Sequence, residues 1–311
     1  MQFETPILLI VFNRPDKTKI LFEKIRLIKP KTIFISADGP RINNPRDFSL
    51  CDEVRSIVKN IDWECDYKFK FNEKNLSCKV NVIESINWFF SHNERGIILE
   101  DDCIPSKSFF NFCEILLEKY KDNKKIMQIN GSNLGIDYSR ITNETYFFSK
   151  LSHCWGWATW KRAWNYFDKE LKDYEKVKKN KVISKYYIDR NIAKWMTNYF
   201  DKIYNNEDKI WSTLWSYSIL EKNAFCITPA LNLVNNIGFD GSGTSGKFEK
   251  FSKFSTSDNN VIKNFLHPEK IEYFLKFDQK QFYEKIKQID PRASHFFFIK
   301  SLLSKIRKKL F

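Results

Sequence analysis

The chain has 311 residues, 42% of them apolar, enough for one large core or two small ones, and a net charge of +14 that suits anionic partners: nucleic acid, nucleotide phosphates or an acidic membrane face. No zinc finger, RNA-binding signature or recognition helix accompanies the charge, so nucleic acid is not the expected partner. Seven scattered cysteines without a C-x-x-C pair exclude a disulfide framework and read as reduced, mostly buried thiols of a cytosolic protein. The 13 Tyr and 9 Trp combine buried area with a polar handle, which suits stacking on sugars and bases; the 29 Phe go with a composition rich in Lys, Asn and Ile.

In chain order, "PILLIVF" (6–12) is a continuous apolar run that reads as a buried strand, too short to cross a membrane and without a basic leader. A helix follows with Ile20, Leu21, Ile25 and Ile28 near one face. "TIFISA" (32–37) is a second buried strand, closed by the turn signal Asp38-Gly39-Pro40, and a polar helical segment covers about 46–60. "YKFKF" (67–71) alternates like an edge strand, and residues 78–90 place Val82, Ile83, Ile86, Phe89 and Phe90 at helical spacing. "GIILE" (96–100) is the next strand, then an aromatic helix with Phe109, Phe112, Cys113, Leu116 and Tyr120 along one side, then the strand "IMQING" (126–131). Strands alternating with helices argue an α/β fold with a mostly parallel central sheet flanked by helices.

In such sheets ligands bind beyond the carboxyl ends of the strands. The residues there are Asn13-Arg14, Asp38-Gly39 and Glu100-Asp101-Asp102, which should converge on one crevice. Three adjacent acids repel one another and hold their protons unless a cation is near. Mg²⁺ or Mn²⁺ joins one or two carboxylates to substrate phosphates, and that is the expected use; the competing use is a solvated turn capping the next helix. Arg14 and Lys79 are natural phosphate contacts, Lys79 also reading as ordinary surface charge. Asp38 either accepts a hydrogen bond from a base N–H or simply closes a turn.

The second half is less regular. "YFFSK" leads into "LSHCWGWATWKRAW", with four Trp within residues 155–164, of which Trp160 and Trp164 are expected in the core. A basic helical region spans about 169–204, and "AFCITPALNLVNNIGFDGSGTSGK" (224–247) has strand character before a Gly-rich loop. Beyond residue 250 the chain is polar and helical, ending in "HFFFIKSLLSKIRKKLF". There Ile299, Leu302, Leu303, Ile306 and Leu310 share a helical face flanked by basic residues, which suits either an anionic membrane surface or docking on protein.

Six segments together carry a family resemblance: "FNRP", "ISADGP", "NLSCKVNV…WFF", "GIILEDDCIPSKSFFNFCEILLEKY", "HCWGWATWKRAW" and "NLVNNIGFDGSG". The chain resembles GT-A-fold, nucleotide-sugar-dependent glycosyltransferases, most of all bacterial relatives of N-acetylglucosaminyltransferase I, from residue 5 to about 245. The resemblance implies a GT-A (Rossmann-like) domain over residues 1–250, with 251–311 a helical C-terminal extension. It implies a UDP-sugar donor held by Arg14 and Asp38, with Glu100 and Asp101 facing ribose and sugar. Asp102 would bind Mn²⁺ or Mg²⁺ bridging the phosphates, and Trp155 and Trp157 would sit in a loop flanking donor and acceptor.

Two departures stand out. Where relatives carry a catalytic acid after a Trp, "KIWSTLW" has Ser212; where they carry a His, "GSGTSG" has Ser245. Asp208 and Asp240 are the substitute candidates for the base, each also readable as a loop or turn residue. The implied activity is inverting transfer of a hexosyl or N-acetylhexosaminyl group to a hydroxyl of a growing bacterial surface glycan, lipid-linked acceptors suiting an enzyme on the inner membrane face. The alternatives are a decayed, non-catalytic nucleotide or glycan binder and a sugar nucleotidyltransferase. The latter would need a Gly-rich, basic loop after the first strand, which this sequence lacks.

Overall fold

The structure, a computed structural model, describes residues 2–136, 138, 141–206, 210–239, 262 and 264–289. Its centre is a sheet of eight strands in the order β3-β2-β1-β4-β8-β6-β9-β7. The strands are β1 (Ile7–Val11), β2 (Thr32–Ala37), β3 (Asp66–Phe71), β4 (Arg95–Glu100), β6 (Ile126–Asn130), β7 (Tyr146–Ser149), β8 (Trp157–Trp160) and β9 (Phe225–Pro229). β5 (Cys103–Pro105) and β10 (Val234–Asn236) form a separate antiparallel pair. β1–β4, β6 and β9 run one way, β7 and β8 the other. The expected mostly parallel α/β sheet is therefore present. The Trp-rich segment enters it as β8, an antiparallel strand wedged between β4 and β6.

The period-2 geometry of a strand divides the first apolar run between two cores. Ile7, Leu9 and Val11 face helices α1 (Pro15–Ile28), α2 (Arg46–Lys59) and α4 (Lys107–Lys119), while Leu8 and Ile10 face α3 (Cys78–His92) and α9 (Trp211–Glu221). A run buried on both faces reads as continuous hydrophobicity, hence "ILLIV". α1 starts after a three-residue connection from β1, helped by Pro15, whose fixed φ suits a first turn and whose missing N–H has no partner to lose there.

The basic stretch after β8 is not one helix. It forms α5 (Lys161–Trp164), α6 (Tyr174–Lys179), α7 (Val182–Tyr187) and α8 (Arg190–Tyr204), the last three separated where Lys181 and Ile188 take positive φ of 56° and 61°. Asp189 restarts the chain as an N-cap, accepting from the N–H groups of Asn191 and Ile192. α6, α7 and α8 share a core with α9 and with Phe282 of α10 (Leu275–Ile289). α10 is pinned to the sheet region as well: Phe277 stacks on Phe147 at 4.3 Å, and buried Asp278 accepts from Ser149 Oγ and Lys150 N–H.

Among the described residues no helix is long and apolar enough to cross a membrane. The amphipathic stretch 299–310 lies outside the described residues.

Candidate functional site

The sheet order reverses at β1: β2 lies on one side of it and β4 on the other. That reversal leaves a crevice beyond the carboxyl ends of β1 and β4. Glu100 is the last β4 residue paired to β1, opposite Ile10, and the Asp101 N–H continues the ladder to Ile10 O at 3.1 Å. The two acids that follow thus emerge beside Arg14. Its guanidinium donates to Asp102 Oδ2 at 3.0 Å and to Asp101 Oδ1, both as ion pairs. Arg14 and the two aspartates, 87 and 88 positions apart, therefore meet as expected.

Burial and mutual repulsion shape this cluster. Glu100 is held well above the usual carboxylate range by desolvation, then by the charges of Asp102 and Asp101. Asp101, only 2% exposed, is raised by desolvation against the opposing pull of Arg14, and its Oδ2 has no hydrogen-bond partner. Asp102 is the open member, with 18% of its side chain accessible. Cys78, first residue of α3, senses the same acids: desolvation, then Glu100 and Asp102, push its thiol up to about 12 although part of the residue is exposed.

The opposite wall comes from more than 130 positions downstream in the chain. β10 pairs with β5, so Asn236 lies against Cys103, and the Ile237 N–H donates to Asp102 O at 2.9 Å. Asn236 Nδ2 donates to Asp102 Oδ1 at 3.2 Å while its Oδ1 accepts from Gly238 N–H at 2.8 Å. A Cβ on Gly238 would stand 2.2 Å from Asp102 Oδ2, so any side chain there would displace the carboxylate. Asn236 and Gly238 were not singled out from the sequence. The signal lay in the segment "NLVNNIGFDGSG", whose pairing with the residues after the acids is a tertiary fact.

Among the described residues no group of three or more His, Cys, Asp and Glu side chains could hold a metal by protein ligands alone. The donor set fits a hard divalent ion only where one accessible carboxylate, Asp102, serves and ligand phosphates complete the shell.

The other expected residues fall around this cluster. Asp38, 3% exposed, is held by the chain: it accepts from Gly39 N–H (2.9 Å), Leu76 N–H (3.0 Å) and Asn75 Nδ2 (2.9 Å). It therefore ties the 72–76 loop to the end of β2, and Gly39 permits this because a Cβ there would meet Lys74 backbone at 2.4 Å. Lys79, half-buried, is the second residue of α3, next to Cys78. Asn13 turns the other way, donating to Asp47 Oδ1 at 2.8 Å. The expectation that Trp157 lines a loop does not hold. It opens β8, fully buried, in a cluster with Trp164, Trp211 and Trp215, because β8 alternation sends it into the core below the sheet. Trp160 and Trp164 are core residues, as expected. Asp208, Asp240 and Ser245 lie outside the described residues.

Trp155 is different. It is half-buried, its ring meets Phe239 edge to face at 5.3 Å, and it lines a pocket of about 190 Å³. Phe239 follows Gly238, so the Trp155 wall of the pocket is linked through the 236–239 segment to Asp102. Its walls come from residues 151–155 and helices α7–α10, including Trp195, Tyr199, Ser212, Ser216 and Gln281. α9 supplies both a core and a pocket face: Trp211 and Trp215 pack inward, while Ser212 and Ser216, one position on, turn to the pocket. A buried network fixes the 151–155 segment. Gln128 Nε2 donates to His153 O at 2.7 Å, Asn130 Oδ1 accepts from His153 N–H at 3.0 Å, and Trp215 Nε1 donates to Gln128 Oε1 at 2.6 Å.

No protein-family model matches the chain, and no curated protein matches it. Solved structures do. One is the apo form of mouse xyloside xylosyltransferase 1, 8% identical, with a TM-score of 0.35 over 70% of this chain and 81% of that one.

Proposed function

We propose that the chain is a glycosyltransferase that moves a sugar from a nucleotide-sugar donor to a hydroxyl of an acceptor. The observation that carries this is the meeting of Arg14, Asp101 and Asp102 at the β1/β4 crevice, closed by Asn236 and Gly238, with an uncharged aromatic pocket next door. A cluster of mixed charge beside a sugar-sized aromatic pocket suits a charged diphosphate leaving group and a neutral group being transferred.

The donor in this reading is a UDP-sugar. Mn²⁺ or Mg²⁺ would be held by Asp102 and would supply charge neutralisation at the diphosphate. Arg14 orients Asp101 and Asp102 through its two ion pairs, and Lys79 adds positive charge at the start of α3. Asp38 shapes the nucleotide side of the crevice through the 72–76 loop. Glu100 ends β4 on the same rim and would face ribose or sugar. Ser212 faces the pocket and has no basicity to deprotonate an acceptor, so the base falls to Asp208 or Asp240. A bacterial surface glycan is the proposed product, and residues 299–310 the proposed peripheral contact with the inner membrane face.

UDP release from a panel of UDP-sugars, with and without Mn²⁺, tests the reading. No release with any donor, alongside intact UDP binding, would replace it by a non-catalytic nucleotide and glycan binder, the second reading that Ser212 favours. Flotation with anionic liposomes, comparing the full chain with one ending near residue 294, tests the membrane contact; equal flotation of both removes it.

A further inference from the structure

The pocket behind Trp155 contains a group that the fold leaves unsatisfied. Gln281 of α10 is 1% exposed, lines the pocket, and neither its Oε1 nor its Nε2 has a hydrogen-bond partner. A buried amide with both ends unmet is costly in a folded chain, and such groups in native structures call for a ligand, ion or water. The neighbouring polar atoms do not supply one: Ser216 Oγ is joined to Ser152 Oγ at 2.6 Å and donates to Ser212 O at 3.0 Å.

The walls define the chemistry of the occupant. Trp155, Trp195, Tyr199 and Phe282 give flat apolar faces, and Ser212 and Ser216 give hydroxyls. Among the described residues no Asp, Glu, Lys or Arg lines it, in a chain with 52 basic and 38 acidic residues. Apart from the His153 imidazole, a phosphate or carboxylate ligand would find no basic partner there. A ring with C–H faces and neutral hydroxyls finds both stacking planes and an amide able to donate and accept at once. The volume of about 190 Å³ is below the roughly 300–1,000 Å³ of pockets for drug-sized ligands, so it suits one ring rather than an oligomer.

We propose that this pocket binds a single uncharged sugar ring, with the Gln281 amide as its recognition group. That this ring belongs to the acceptor rests on the glycosyl-transfer reading; the binding itself does not.

Saturation-transfer NMR and tryptophan fluorescence on the full chain would test it with methyl glycosides of glucose, galactose, mannose and N-acetylglucosamine, and with glucuronate as the charged probe. Each is run alone and again with UDP and Mn²⁺. The expected result is saturable binding of at least one neutral glycoside, and none of glucuronate. Gln281→Met, which keeps length and loses the amide, should weaken that binding at least tenfold without lowering the melting temperature or UDP affinity. Ser216→Val gives a second, milder loss from the same wall. The proposal is overturned if no neutral glycoside binds in either condition, if glucuronate binds as well, or if Gln281→Met binds like wild type. Glycoside binding without UDP-sugar turnover would keep the pocket and remove the transfer reading. Turnover indifferent to Gln281→Met, with glycoside binding weakened, would keep the pocket and the transfer reading and remove the assignment of this ring to the acceptor.

Discussion

The two halves of the candidate site are built by opposite means. At the β1/β4 crevice, charge is concentrated on residues that follow strands directly, and one arginine holds two aspartates. In the pocket behind Trp155 no Asp, Glu, Lys or Arg lines the described walls, and polarity comes from hydroxyls, the His153 ring and one amide set among aromatic rings. The first half depends on electrostatics that water would screen. The second depends on exclusion of water, so that each unmet hydrogen bond counts. A bisubstrate reaction with an anionic leaving group and a neutral nucleophile would need both kinds of surface side by side.

The contrast can be broken most forcefully at Arg14. Arg14→Ala leaves Asp101 buried beside two other acids, so it should destabilise the fold by roughly 3–5 kcal/mol in urea melts near pH 8. The loss should shrink near pH 5, where Asp101 takes up a proton; a pH-independent loss would mean that Arg14 acts by packing. Asp102→Ala comes next. It removes the accessible acid, and UDP-sugar turnover should fall about 10²–10³-fold with a much smaller change in stability. Unchanged metal-dependent turnover would move the donor site elsewhere.

On the pocket side, the telling acid is Asp278, whose burial raises it to about 6 despite hydrogen bonds from Ser149 and Lys150. Its folded value exceeds the ordinary carboxylate value of about 4, so the folded state holds the proton more tightly. Stability from this group is therefore full below about pH 4 and lost as pH rises through about 6, an effect of about 3 kcal/mol. Asp278→Asn should flatten that part of the stability–pH curve. Smallest is Gln281→Met, expected to raise stability by about 1 kcal/mol by removing an unmet buried amide. A loss of that size instead would show that the amide already has a partner in solution.

The crevice was largely legible in the sequence because each of its parts is local. An apolar run ending on Glu100-Asp101-Asp102 declares both strand and strand end, and a parallel sheet brings strand ends together whatever lies between them. Asp38 was found for its position, but the loop it holds was not foreseen, since Leu76 and Asn75 are nearly forty residues away. The Trp-rich segment misled in part. Trp155 reaches the pocket and Trp157 does not, because a β-strand inserted between β4 and β6 decides which ring faces in. Helical spacing in 169–204 also concealed two breaks, at Lys181 and Ile188, where positive φ interrupts the run.

By itself, then, the sequence determined the parallel half of the sheet, its two-faced core and the acids at its edge. Those follow from residue periodicity and from charges placed where a buried strand ends. Tertiary structure alone decided that Asn236 and Gly238 close over Asp102, and that Gln281 enters a pocket shared with Trp155. These contacts join segments up to about 130 residues apart. Their partners are chosen by packing and by backbone hydrogen bonds of the β5–β10 pair, neither of which leaves a periodic trace in the chain.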